Sequence, residues 1–285
     1  MSKFTIPFFL LSLVVARAQF IPVPNGSFES PSTTFASPSM DSWLKTPQPA
    51  WWTTNDGAWT NLMGEFLNTP AGQPDHLNNV TGPQAGYIFS DQGAGIFQNL
   101  SATYQVGKSY TMTVGLTTSA EEPLTPGATL QLSLYYVDVT NGLDAVALTT
   151  VTYDTNVFTN TLNLLNFSVS SPTVQATDPW AGKLIGMEIA ATTSFDLAGG
   201  VWDLDNVQLA ELPAIFSPTV TNNQPTFTIV SFPGQVFDIL ASPDLNSPPA
   251  NWTAIASITN STGTTNFTDG APVQGQRFYI LQQAQ

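Results

Sequence analysis

Between Thr129 and Val137 the chain reads Thr-Leu-Gln-Leu-Ser-Leu-Tyr-Tyr-Val, so Leu130, Leu132, Leu134 and Tyr136 alternate with Gln131, Ser133 and Tyr135. Successive side chains of an extended strand point to opposite faces, and a two-residue period therefore describes a strand with one face buried. A helix would scatter the same leucines around its circumference. Tyr110–Leu116, Ala147–Tyr153, Leu162–Val169, Leu184–Ala190 and Trp202–Leu209 also read as strands, separated by Gly, Pro, Asn and Asp. No window of eleven or more residues carries a convincing helical period with caps. Short strands at this spacing predict an all-β fold of sandwich type.

Composition narrows the partners. The 285 residues include 20 acidic and only 6 basic side chains, a formal charge of −14, and no cysteine. Phosphate neutralisation needs clustered Lys and Arg, so nucleic acid is excluded as a partner. The same repulsion disfavours an anionic bilayer surface. Without cysteine there is no thiolate metal site, no Cys nucleophile and no disulfide framework. An aromatic content of 11% supplies ample apolar surface for a core. These features point to a neutral or cationic partner such as uncharged carbohydrate or a metal ion.

The first eighteen residues read as a secretory signal, with Lys3 at the charged start, a short apolar run and the small-x-small pattern Ala16-Arg17-Ala18. The run is too short to span about 30 Å of hydrocarbon. The expected product is exported, with no membrane segment after cleavage. Residues 21–79 are rich in Pro, Ser, Thr, Asn and Trp and read as long loops draped over a sheet edge, where binding function tends to sit. The register changes at Glu211-Leu-Pro-Ala214, and the last stretch restarts with Thr226–Phe232. The expected organisation is a leader over residues 1–18, a large domain over 20–211 and a small β module over 212–285.

Two motifs bracket the large domain: Pro24-Asn25-Gly26-Ser27-Phe28-Glu29 near its start and Trp202-Asp203-Leu204-Asp205-Asn206-Val207-Gln208-Leu209 at its end. Between them lies Gly95-Ile96-Phe97-Gln98-Asn99-Leu100. This set resembles the galactose-binding-like jelly-roll domains of bacterial carbohydrate-binding modules, over about residues 20–211. The C-terminal stretch, with Phe237–Leu245, Asn251-Trp252-Thr253 and Arg277–Ile280, looks like a small β module that recurs at the ends of secreted bacterial proteins. The resemblance implies a jelly-roll β-sandwich whose first and last strands lie side by side.

In such a fold Glu29 and Asp205 converge. Two carboxylates brought together resist ionisation, and a hard divalent cation relieves that cost, with backbone carbonyls completing its oxygen shell. In the families this chain resembles, the matching Glu and Asp positions often hold calcium. The expected ligands are therefore the Glu29 and Asp205 side chains with the Asn25 and Ser27 carbonyls. The opposing reading makes both acids polar strand ends bonded to loops. Sugar binding requires aromatic platforms, because a sugar ring has an apolar face and a polar rim. Trp43, Trp51, Trp52 and Trp59 cluster in the loop-like segment, and Tyr87 borders the same rim. One or two of these tryptophans are equally suited to plugging the core.

Catalytic motifs are sparse. His76 is the single histidine, which excludes His-Glu-x-x-His zinc chemistry, and no Gly-x-Ser-x-Gly elbow accompanies it. Gly107-Lys108-Ser109 resembles the end of a phosphate loop, but no helix pattern follows, so it reads as a turn. Glu121-Glu122 and the Asp203/Asp205 pair are carboxylates of the kind that hydrolyse glycosides. Adjacent acids in a turn are usually just solvated. The resulting expectation is a secreted, non-catalytic protein that binds extracellular polysaccharide through its Trp-rich loops, its jelly roll stabilised by calcium. The alternative is an extracellular surface-assembly protein without sugar specificity.

Overall fold

The computed structural model describes residues 20–53, 57–138, 142–212, 214–221, 224–230, 235–248, 251–262, 264–270 and 276–283. Residues 1–18, read from the sequence as a leader, lie outside the described residues. Two compact units are present, one spanning Phe20–Ala210 and one from Glu211 onward.

The larger unit is a jelly-roll-like sandwich of two antiparallel sheets. Strands are numbered in chain order. One sheet runs β10 (Leu165–Ser170), β7 (Ser109–Thr118), β12 (Val201–Leu212), β5 (Gln84–Phe89), β4 (Met63–Leu67) and β2 (Ala36–Ser37), with β1 (Phe20–Ile21) also paired to β12. The other runs β3 (Leu44–Lys45), β6 (Gly95–Thr103), β11 (Leu184–Ala191), β8 (Thr129–Asp138) and β9 (Gly142–Thr152). Helical structure among the described residues consists of short 3-10 turns, among them Trp59–Leu62 and Phe195–Leu197. The all-β reading holds.

The alternation in β8 does what the sequence requires. Leu130, Leu132 and Leu134 are fully buried, and they meet Ile185, Met187 and Ile189 of β11 and Met112, Val114 and Leu116 of β7 in one core cluster. Burying a side chain of this size stabilises the fold by about 1.5–3 kcal/mol relative to leaving it in water. The Gly107 region is a turn that leads straight into β7, as expected.

Residues 21–79 are mostly loop, but they also contribute β4, which the sequence reading did not anticipate. Its inward positions hold Met63 and then Glu65, and a carboxylate on the buried face hides the alternation that marks a strand.

The two ends of the unit meet. Phe20 and Ile21 pair with Ala210 and Leu209, and Val207 N donates to Gly26 O at 2.8 Å. Phe28 is fully buried and stacks on Trp43, ring centroids 5.8 Å apart. Gly26 permits the closure, because a Cβ there would stand 2.5 Å from Val207 O.

The smaller unit holds two three-stranded sheets. One runs β13 (Ala214–Thr221), β14 (Gln224–Val230), β17 (Thr264–Thr268), and the other β16 (Thr253–Asn260), β15 (Gln235–Ser242), β18 (Phe278–Gln283). Phe227, Ile229, Phe237, Ile239 and Tyr279 form its core. Asp269 Oδ2 forms an ion pair with Arg277 Nε and accepts from the Tyr279 hydroxyl, each at 2.9 Å.

Substitution of Gly26 by Ala is expected to destabilise the larger unit by about 1–3 kcal/mol, the usual cost of overpacking a tight contact. Urea unfolding of the variant measures it, and an unchanged midpoint would contradict the closure.

Candidate functional site

Strand β12 carries the chemistry. Trp202 and Leu204 face the core, so Asp203 points to the outer face of its sheet. Register places Asp203 opposite Tyr87 and Val201 opposite Phe89, while Tyr87 stands opposite Gly64 of β4. Loops rise around this row and enclose a cavity of about 420 Å³. Its aromatic walls are Phe35, Phe66, Tyr87 and Phe89, and Leu77 and Val201 add aliphatic surface.

Asp203 is only 7% exposed and has no hydrogen-bond partner among the described residues. Desolvation, reinforced by the nearby negative charge of Glu121, pushes its carboxyl up to about 8. Near neutral pH the group is a carboxylic acid holding a proton. Tyr87 is half-buried; its hydroxyl donates to Asn61 O at 3.2 Å, which fixes the ring, and burial pushes the phenol up.

Asp205, two residues on, sits in a different environment. It is fully buried, and its Oδ2 accepts from Thr81 N at 2.6 Å while Oδ1 has no partner among the described residues. Burial pushes its carboxyl up to about 7 despite the backbone hydrogen bonds from Thr81 and Asn206, and the charge of Glu29 adds to the rise. Glu29 Oε1 accepts from Gln84 N at 2.9 Å. The two acids therefore converge on the short segment Thr81–Gln84. Asn25 shapes the turn that delivers Glu29. Its carbonyl accepts from Phe28 N and Trp43 Nε1, and its side-chain amide bonds Ser30 and Asp41. Ser27 occupies the same turn. Among the described residues no three metal-ligating side chains come together.

A third buried acid, Glu65, alternates with Met63 on the core side of β4. Both of its oxygens lack hydrogen-bond partners among the described residues, and its carboxyl is pushed up to about 7, first by desolvation and then by the charges of Asp41 and Glu29.

The tryptophans lie elsewhere. Trp43 and Trp59 are core residues, 4% and 3% exposed, with their ring N–H groups bonded to Asn25 O and Thr46 O. Trp52 is half-buried and donates to Gly57 O. Trp51, 41% exposed, stands edge-on to Trp52, Trp59 and Phe195. Of the five aromatic residues singled out in the sequence, Tyr87 alone lines the cavity. Phe35, Phe66 and Phe89 were not singled out, because a phenylalanine on an outward strand position reads as ordinary sheet surface until loops close over it.

A family model described as HpiC1-like, HpiC1 cyclase, matches residues 19–210. The chain belongs to the HpiC1-like cyclase family. The matched region covers the sandwich and stops before the C-terminal module. Among solved structures, a cyclase from Fischerella sp. TAU is 21% identical, with 69% of this chain and 98% of that one covered and a TM-score of 0.52. The Stig cyclase Fisc from Fischerella sp. TAU, in complex with (3Z)-3-(1-methyl-2-pyrrolidinylidene)-3H-indole, is 22% identical over 69% of this chain and 99% of that one, TM-score 0.52. A third structure, of a cyclase from Fischerella sp. TAU with 4-(1H-indol-3-yl)butan-2-one, is 22% identical over 69% and 99%, TM-score 0.51. At these identities the likeness establishes a shared fold. No curated protein matches the chain.

Membership of a cyclase family corrects the functional expectation. The non-catalytic reading, whether as polysaccharide binder or as surface-assembly protein, is overturned. The motifs at both ends of the domain mark the sandwich and its closure and say nothing of a sugar. The physical reason is visible in the fold: two of the four loop tryptophans are spent on the core, and the walled cavity holds an acid with no hydrogen-bond partner among the described residues.

Three buried carboxyls, Asp203, Asp205 and Glu65, hold protons in the folded chain at pH values where an unfolded chain, with ordinary carboxyls near about 4, has lost them. The folded state therefore binds more protons between about pH 4 and pH 8, and its stability falls as pH rises through that interval. In chelator, the melting temperature is expected to decline from pH 5 to pH 9, with a shallower decline in Asp203→Asn. A melting temperature that climbs over this range would contradict the assignment.

Proposed function

We propose that the chain is an acid-promoted cyclase acting on a small, largely apolar aromatic substrate, with Asp203 as the proton donor. The observation that carries this reading is a buried carboxyl with no hydrogen-bond partner among the described residues, protonated to about pH 8, on the floor of an aromatic-walled cavity. General acids work best with a pKa near the operating pH. A volume of about 420 Å³ suits a small molecule. Two of the similar structures hold indole compounds, which supports an indole skeleton as the substrate class.

The chemistry balances without a redox partner. Asp203 gives its proton to a carbon–carbon double bond of the substrate side chain; its O–H bond breaks, a C–H bond forms and a carbocation results. The π electrons of the substrate's aromatic ring attack that carbon and close a new C–C bond. The ring proton then leaves to the Asp203 carboxylate, so the product is an isomer of the substrate. The faces of Phe66, Tyr87 and Phe89 stabilise the positive charge as it develops, and the apolar walls keep water from capturing it.

With an indole bearing an alkenyl side chain as substrate, Asp203→Asn is expected to lower turnover by about 100-fold or more. Binding of 4-(1H-indol-3-yl)butan-2-one, followed by tryptophan fluorescence, should survive the substitution. In the native chain the rate should fall as pH rises through about 8, as Asp203 loses its proton. Full turnover in the variant would remove Asp203 from the chemistry.

Calcium belongs to the same reading as a structural ion. The residues fit it: Asp205 Oδ1 is buried with no partner among the described residues, and Glu29 adds a second carboxylate at the same segment. Glu29 and Asp205 would hold the ion, with the Ser27 carbonyl beside them; the Asn25 carbonyl already accepts two hydrogen bonds. When bound, the ion neutralises both acids and ties β12 to the opening turn, away from the reacting atoms. Export, carried by the leader-like first eighteen residues, would expose the site to millimolar calcium. Adding calcium to chelated protein should raise the melting temperature by mass action, and Asp205→Asn should abolish the rise. An identical melting curve with and without calcium would dismiss the ion.

A further inference from the structure

The rim of the cavity carries a charge pattern that proton donation does not use. Glu121 and Glu122 stand on the turn after β7, and Asp75 on the loop after β4. All three line the cavity, and among the described residues lining it none is basic.

The acidic turn is fastened to the strand that bears Asp203. Ser119 N donates to Val201 O and Val201 N donates to Glu122 O, both at 2.9 Å, two residues before Asp203. Gly200 allows this approach: its φ is 74°, and a Cβ there would stand 2.6 Å from Pro123 O. The two glutamates are thus held at the mouth of a hollow whose floor is a carboxyl that is more than nine-tenths buried and has no hydrogen-bond partner among the described residues.

Like charges gathered along an apolar hollow raise one another's energy. A ligand that brings positive charge relieves this strain, and one that brings negative charge aggravates it. The net charge of −14 draws cations toward the molecule at long range. The aromatic walls offer π faces to the same charge at short range.

We propose that the cavity takes its substrate as a cation: an aromatic skeleton carrying a protonated amine, whose ammonium group is received by Glu121 and Glu122 while the ring lies against Phe66, Tyr87 and Phe89. The proposal rests on the cavity being the substrate site.

Three probes of similar size separate the possibilities: tryptamine, which is an ammonium ion at pH 7, neutral tryptophol and anionic indole-3-propionate. Calorimetric titration of the full chain should show tryptamine binding about 3- to 10-fold tighter than tryptophol, the scale expected of two partly exposed charge pairs, with indole-3-propionate weakest. The double variant Glu121→Gln, Glu122→Gln should bring tryptamine down to the affinity of tryptophol, with its melting temperature confirming that it folds. Raising salt from 50 to 500 mM in the native chain should weaken tryptamine and leave tryptophol unmoved, a measurement that needs no variant. Equal affinities for tryptamine and tryptophol, or a preference for the anion, overturn the charge preference and leave the cavity as the substrate site. No binding by any of the three overturns the indole site itself and the charge preference with it.

Discussion

The structure depends on a seam: the opening segment of the sandwich lies against its closing strand. Phe20 and Ile21 pair with Ala210 and Leu209, Gly26 O accepts from Val207 N, and Phe28 inserts into the core. Segments nearly two hundred residues apart are joined by these few contacts, and closing so long a loop has an entropic cost that only burial of large side chains can offset. The Phe28–Trp43 stack supplies part of that burial. Once the seam is closed, β12 is held between β7 and β5, and the positions of Asp203 and Asp205 follow from strand geometry.

Burial then decides what each acid does. Asp203 sits among phenylalanines and a tyrosine, keeps its proton and faces an open hollow. Asp205 accepts from the Thr81 N–H and lies near the charge of Glu29, the setting in which a calcium ion is proposed. The residue type is the same in both cases, and the neighbours assign the role.

Much of this was legible in the sequence. The leucine alternation in β8 specified the sheet, and the order of the two end motifs specified the seam and the meeting of Glu29 with Asp205. The cavity was not legible. Asp203, Glu121 and Glu122 were recognised as carboxylates, but their spacing in the chain resembles that of solvated surface acids. What makes them a site is the register that puts Asp203 beside Tyr87 and the loop closure over Phe66 and Phe89, which are tertiary facts. The tryptophans misled for the converse reason: composition records that Trp43, Trp51, Trp52 and Trp59 are near one another, whereas packing sends Trp43 and Trp59 inward. β4 escaped notice because Glu65 takes a buried position where an apolar residue would signal a strand.

Asn206 adopts a left-handed backbone, φ 58°, in the middle of β12. Before it, Trp202 and Leu204 face inward; after it, the inward positions are Val207 and Leu209, one step out of phase. That phase slip works as a partition between two halves of one strand. Upstream positions can be retuned for a different reaction, while those downstream go on latching the two ends of the sandwich, so the chemistry can change without disturbing how the domain shuts.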